Sequence, residues 1–170
     1  MKQYDIDKYL NNPDLIGEKI KEHITKGVVK TVDSPSEVEG HILKAQHNLD
    51  FVNQTNKSIF ADWAITGCYY ACYHAALALI TKKGFSSKNH LATLLVLIKE
   101  FYNKGLDKED IDNLSLVLDY QDILFYVESK QKREDASYST KSNFATQDVE
   151  QIRLKSILFV SKVNELLRTA

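Results

Sequence analysis

The stretch that decides the fold is ADWAITGCYYACYHAALALI, residues 61–80. Drawn as a helix it is apolar around its whole circumference, which is typical of a helix in the middle of a packed domain. The spacing predicts a central helix from about Phe60 to Lys82, ended by Gly84. Small residues recur along it at steps of three or four and would let a second helix approach closely; they are Ala64, Gly67, Ala71, Ala75 and Ala78.

A membrane span is the alternative interpretation of this stretch. It barely reaches the roughly 20 apolar residues that a span needs, and Asp62, Thr66 and His74 interrupt it. We therefore interpret it as the central helix of a bundle. The segment from Met1 to Leu10 is too charged for a signal peptide, so we expect a cytoplasmic protein that does not contact a membrane.

The composition favours one all-α domain. The chain has 170 residues with only two prolines and six glycines, which leaves little material for the turns of a many-stranded sheet. Its 22 basic and 23 acidic residues give a net charge of -1, so no overall field attracts nucleic acid and any RNA contact must be local. Cys68 and Cys72, the only cysteines, are expected to be reduced thiols in the core.

Further helical patterns complete an up-and-down four-helix bundle over residues 34–170. Ser34, Pro35 and Glu37 stand at the N-cap, first and third positions of the first bundle helix, as in a capping box. Later helices are predicted over residues 91–102, from Asp107 onward and after Thr146, while residues 134–145 are expected to form a loop. Short links should make neighbouring helices antiparallel.

Residues 1–33 are predicted to form an N-terminal helical extension. Asn12 can cap a short helix with Pro13 at its first position, and Gly27 offers its end. The extension carries a few apolar residues, among them Ile16 and Ile20. We expect these to dock on the bundle, or alternatively on a partner.

The run GCYYACYHAALALI, residues 67–80, resembles the second helix of HEPN-domain proteins, which tends to read YYAxYHAAxALL. A Lys-x-His or Lys-His pair then opens that family's next helix, and Lys88 and His90 occupy this place. The segment from Arg133 to Tyr138 is similar to the family's RxxADY segment, with Ser137 where Asp is usual. The likeness covers about residues 34–167 and implies the HEPN-like four-helix bundle.

The resemblance also implies a homodimer and, as a partner, a minimal nucleotidyltransferase in a toxin-antitoxin pair. Many HEPN toxins cut RNA without a metal, using an arginine followed four to six residues later by a histidine. This sequence departs from that motif, because Tyr138 stands five residues after Arg133 and no histidine follows His90. Tyrosine, with an ordinary pKa of about 10, suits proton transfer near neutrality poorly. We interpret the motif as degenerate.

The candidate residues for RNA or nucleotide binding are Arg133, Tyr138, Lys88, His90, Tyr70 and His74. Arg133 can bind phosphate bidentately and Tyr138 can stack on a base, while His90 opens a helix whose N-terminus attracts phosphate. The structural alternatives are a salt bridge for Arg133, a capping or structural role for His90 and a buried, hydrogen-bonded state for His74. The remaining histidines of the bundle, His41 and His47, are expected on a solvated face.

The leading hypothesis is a HEPN-type module that binds RNA or nucleotide, or a nucleotidyltransferase partner, in a toxin-antitoxin or defence-related system. One alternative is an active, metal-independent endoribonuclease with Arg133, Tyr138 and His90 as its catalytic candidates. Another is a dimeric interaction scaffold without catalysis. No cofactor and no metal are expected, because the acidic residues lack the Glu and Glu-x-x-His pattern of di-iron bundles.

Overall fold

The computed structural model describes residues 6–32, 34–55, 57, 59–118 and 146–169. The described helices are α1 (Ile6–Leu10), α2 (Pro13–Thr25), α3 (Pro35–Gln54), α4 (Ala61–Lys82), α5 (His90–Phe101), α6, described over residues 108–118, and α7 (Thr146–Thr169). Two three-residue strands, β1 (Val29–Thr31) and β2 (Phe85–Ser87), accompany them. The predicted all-α, HEPN-like fold is confirmed.

Helix α4 lies at the centre of the bundle, where it packs against α3, α5 and α7. Its length and composition would suit a membrane span, but 78% of the most apolar window is buried inside the structure. The small-residue stripe faces α3: a Cβ at Gly67 would lie 2.5 Å from Val52 Cγ2. The stripe therefore serves close packing within the chain.

Two contacts between α3 and α4 show the relative direction of these helices. His41 of α3 meets His74 of α4, while Val52, further along α3, lies against the earlier Gly67. These pairs make α3 and α4 antiparallel, as the short link between them predicts. A hydrogen bond of 2.7 Å from Lys155 of α7 to Asn113 of α6 joins those two helices.

The helix starts lie close to the predicted positions, but the cap of α3 differs from the expectation. Ser34 occupies the N-cap of α3 without a side-chain capping hydrogen bond, so the predicted capping box is wrong in its contacts. At the start of α5, by contrast, Asn89 Oδ1 accepts from Ala92 N over 2.9 Å. Before α6, Asp107 and Asp110 each accept from the other's backbone N–H, which satisfies two donors at the helix end.

A short antiparallel ribbon was not anticipated from the sequence. Strand β1 pairs with β2 so that Val29 lies opposite Ser87 and Thr31 opposite Phe85. The ribbon leads the chain from the end of α4 back along that helix. As a result α5 begins beside the middle of α4, where the His90 ring lies 4.9 Å from the Tyr73 ring.

The N-terminal segment shares the core of the bundle. Ile6, Ile16, Ile20 and Val29 are all buried, and α2 packs against α5. Docking of the extension on the bundle is therefore what the structure shows. The division of the chain into an extension over residues 1–33 and a bundle over residues 34–170 stays a prediction.

Both cysteines lie in the core as free thiols, as expected. Burial raises the pKa of Cys68 to about 11 and that of Cys72 to about 12. A thiol protonated over the whole physiological range is a weak nucleophile. These cysteines therefore contribute packing between α4 and α7 and no chemistry of their own.

Candidate functional site

A pocket of about 960 Å³ opens between the first half of α3, the middle of α4 and the β1–β2 ribbon. Each of these elements contributes polar groups to its wall. Helix α3 supplies Glu37, His41 and Lys44, helix α4 supplies His74, and the ribbon with its flanks supplies Lys30, Ser86, Lys88 and Asn89. Because the ribbon holds residues distant in sequence against the two helices, it completes the pocket.

Two histidines contact each other in this wall. The Nδ1 atoms of His41 and His74 lie 3.0 Å apart, with their ring centroids 5.2 Å apart. Partial burial lowers the pKa of His41, while the nearby Glu37 carboxylate opposes that change. Partial burial, with the charges of His41 and Lys44, lowers the pKa of His74 to about 4. The pair is therefore neutral at physiological pH, with one ring donating and the other accepting.

The charged side chains of the pocket wall are mainly basic. Lys30, Lys44 and Lys88 line it together with the single carboxylate of Glu37. All three lysines are exposed, so they can move to meet a ligand. A chain with a net charge of -1 thus holds a local excess of positive charge, which suits a small anion or phosphate group.

His90 contacts two tyrosines of α4. Its Nε2 lies 2.8 Å from the Tyr69 hydroxyl, and its ring packs on Tyr73. Tyr73 also reaches the Ser87 carbonyl over 3.5 Å, and burial raises the pKa of its hydroxyl. His90 is therefore engaged in joining α4 to the start of α5, which agrees with its structural alternative.

Tyr70 lies beside the histidine pair on α4. Its side chain is 44% exposed, and its ring lies nearly parallel to that of His74 at 6.4 Å. An exposed aromatic face next to a basic pocket can stack on a nucleobase. The structure thus brings Tyr70, His74 and Lys88 to one region of the molecule.

The other predicted site residues have different outcomes. Arg133 and Tyr138 lie outside the described residues, so their roles stay predictions. Of the other two arginines, Arg153 is held by Glu150 and also donates to Asn53 over 2.9 Å. Among the described residues, no group of three or more histidines, cysteines or acidic residues could hold a metal ion.

The sequence interpretation missed His41. We expected it on a solvated face, but it is half-buried and paired with His74. A signal was present, because His41 precedes the buried Ala45 by four residues and Leu49 by eight, and residues at these spacings share a helix face. His47, two residues before Leu49, is exposed as predicted.

The fold and this site define a small helical domain whose pocket is basic and lined by histidines. The family model of the HEPN domain matches residues 38–164, so the chain belongs to the HEPN family. It is also similar to the protein of Methanocaldococcus jannaschii named "Putative toxin MJ0142", with 25% identity over 132 residues. That alignment covers 77% of this chain and 82% of the relative.

Proposed function

We propose that this HEPN protein is a toxin-type module that binds RNA or a nucleotide, with a phosphate group in the pocket beside His41 and His74. The observation that carries the proposal is the presence of Lys30, Lys44 and Lys88 in the wall of the same pocket as a half-buried histidine pair. Lysine is a common phosphate ligand and acts as a compact point charge.

The position of α5 supports this assignment. Asn89, the N-cap of α5, lines the pocket next to Lys88. The positive end of a helix dipole adds to the attraction of the lysines for an anion. Tyr70, exposed at the neighbouring turn of α4, offers a stacking surface for the base attached to such a phosphate.

The toxin assignment comes from the relative, whose name is "Putative toxin MJ0142". The partners inferred from the HEPN resemblance, a second copy of the chain and a minimal nucleotidyltransferase, belong to the same proposal. The alternative of an active ribonuclease relies on Arg133, Tyr138 and His90. Of these, His90 is engaged in a hydrogen bond with Tyr69, and the other two lie outside the described residues. Binding is therefore the function that the described residues support best.

The test is fluorescence anisotropy with a labelled oligoribonucleotide, measured at several salt concentrations. Lys88→Gln should weaken binding to all sequences similarly and reduce the slope of log affinity against log salt by about one. Lys82→Gln is the matched control, because Lys82 is exposed on α4 but does not line the pocket. Absence of binding by the wild type, or equal losses in both variants, would refute the proposal.

A further inference from the structure

We propose that the His41–His74 pair takes up one proton when a phosphodiester group occupies the pocket, so that RNA binding by this protein is linked to pH. This inference rests on the proposed function and specifies how the same site works. Its starting point is the direct contact of two imidazole rings inside a pocket whose other charged groups are mostly lysines.

The contact determines where the existing protons lie. With 3.0 Å between the two Nδ1 atoms, one ring must donate through its Nδ1–H and the other must accept. A neutral imidazole carries one proton, so the donor ring has a bare Nε2 and the acceptor ring carries its proton on Nε2. In this state the bare Nε2 would repel a phosphate oxygen.

An extra proton has one favourable place. Addition to the bare Nε2 of the donor ring leaves the Nδ1 contact intact and turns it into a charge-assisted hydrogen bond. A second extra proton would have to bind Nδ1 of the acceptor ring, which would break that contact. The intact pair therefore takes up one proton and becomes a donor to anions through both Nε2 atoms.

In the empty pocket, the surroundings disfavour the protonated form of the pair. Among the described residues, the charged and titratable groups around the pair are Glu37 and Lys44 of α3, Tyr70 and Tyr73 of α4, Lys30 of β1 and Lys88 after β2. Partial burial disfavours a charged ring in the empty pocket. A phosphate adds negative charge within reach, which favours the protonated form.

The sign of the pH effect follows from linkage. The pair has a higher pKa in the RNA complex than in the free protein. The affinity for RNA therefore increases as the pH falls from the pKa of the complex to that of the free protein. The increase reaches at most about tenfold per pH unit where a full proton is taken up. Above the higher pKa, the pair is neutral in both states and the affinity no longer depends on it.

Isothermal titration calorimetry in buffers of different ionisation enthalpy measures this uptake directly. The probe is a 2′-O-methyl oligouridine without a terminal phosphate, because it cannot be cleaved by its own 2′-hydroxyl and has no group that titrates near neutrality. Below neutral pH the wild type should take up a fraction of a proton that rises as the pH is lowered towards the midpoint between the pKa values of the free and the bound pair, and falls again at lower pH. The uptake should not exceed one proton per protein molecule in the complex.

A single replacement would leave one imidazole that can still take up a proton, so the test uses the double variant His41→Asn/His74→Asn, which keeps a polar nitrogen or oxygen near each Nδ1 position but removes both titratable rings. This double variant should still bind the probe, more weakly and without proton uptake, whereas His47→Asn, at an exposed position of α3, should behave as the wild type. Thermal unfolding verifies that each variant is folded. Wild-type binding without proton uptake, or uptake that persists in the double variant, overturns this inference alone; absence of wild-type binding overturns the proposed function with it.

Discussion

Three histidines of this bundle show how the surroundings of one residue type set its role. His47 is exposed on α3, His90 joins two helices through Tyr69, and His74 forms a hydrogen bond with His41 in the pocket wall. His74 combines a lowered pKa with a neighbour that can share a proton. Such a pair in a pocket is the kind of arrangement in which functional groups are found.

The unliganded protein should lose stability in mild acid because of His74. Its pKa is about 4 in the folded state against 6.5 ordinarily, so between these values the unfolded chain binds the proton and is favoured. The contribution is complete above about pH 6.5 and is lost as the pH falls towards 4. Since the ring is only half-buried, we expect about 1 kcal/mol after allowance for screening by solvent.

Urea unfolding at pH 7 and pH 5 measures this effect. His74→Asn should lose less stability between the two pH values than the wild type, while His47→Asn should lose as much as the wild type. An unchanged pH dependence in His74→Asn would show that the ring titrates alike in the folded and unfolded chain.

At the scale of elements, the short β1–β2 ribbon determines where several pocket residues and the start of α5 lie. It places Lys30 and Lys88 opposite the histidines of α3 and α4. It also returns the chain along α4 before α5 begins, so that His90 meets Tyr73 rather than the end of that helix. A tight turn after Gly84 would have placed these side chains elsewhere.

The two caps at the starts of α5 and α3 should differ in their contribution to stability. Asn89→Ala removes the acceptor of the Ala92 N–H and should lower the free energy of unfolding by about 1 kcal/mol. Ser34→Ala should cost less than about 0.5 kcal/mol, because Ser34 makes no side-chain capping bond and substitutions without such a feature have small effects. Chemical denaturation of both variants gives the comparison, and a larger loss for Ser34→Ala would contradict it.

At the scale of the whole molecule, the core extends beyond the residues that match the HEPN family model. The match begins at residue 38, but Ile16 and Ile20 of α2 are buried where that helix packs on α5. The N-terminal segment also supplies Lys30 to the pocket. It therefore contributes to both the stability and the candidate site.

Two isoleucines on α2 test this contribution. Ile20 is 2% exposed and Ile24 is 45% exposed. Ile20→Ala should destabilise the protein by about 2–4 kcal/mol, because it removes buried methyl groups and leaves a cavity, whereas Ile24→Ala should cost less than about 1 kcal/mol. Equal effects of the two variants in urea unfolding would mean that α2 does not dock as described.

The elements could be predicted because their signals are local. Apolar periodicity located α3, α4, α5 and α7 to within a few residues, since one face of each helix must be buried. The ribbon was missed although residues 28–32 read Val-Val-Lys-Thr-Val, a β-branched run typical of a strand. Its partner, Phe85–Ser87, reads as an ordinary polar turn, and pairing between segments so far apart leaves no local pattern.

The sequence by itself determined the helical class, the central place of α4 and the membership in the HEPN family, because burial of an apolar face and close packing of small residues depend on spacing along one helix. Lys88 and His74 were among the predicted site residues, and both line the pocket. Only the tertiary structure decided that His41 faces His74, that Lys30 lines the same pocket and that His90 forms its hydrogen bond with Tyr69. Those relations join residues that are far apart in the chain, and their geometry depends on how the helices and the ribbon pack.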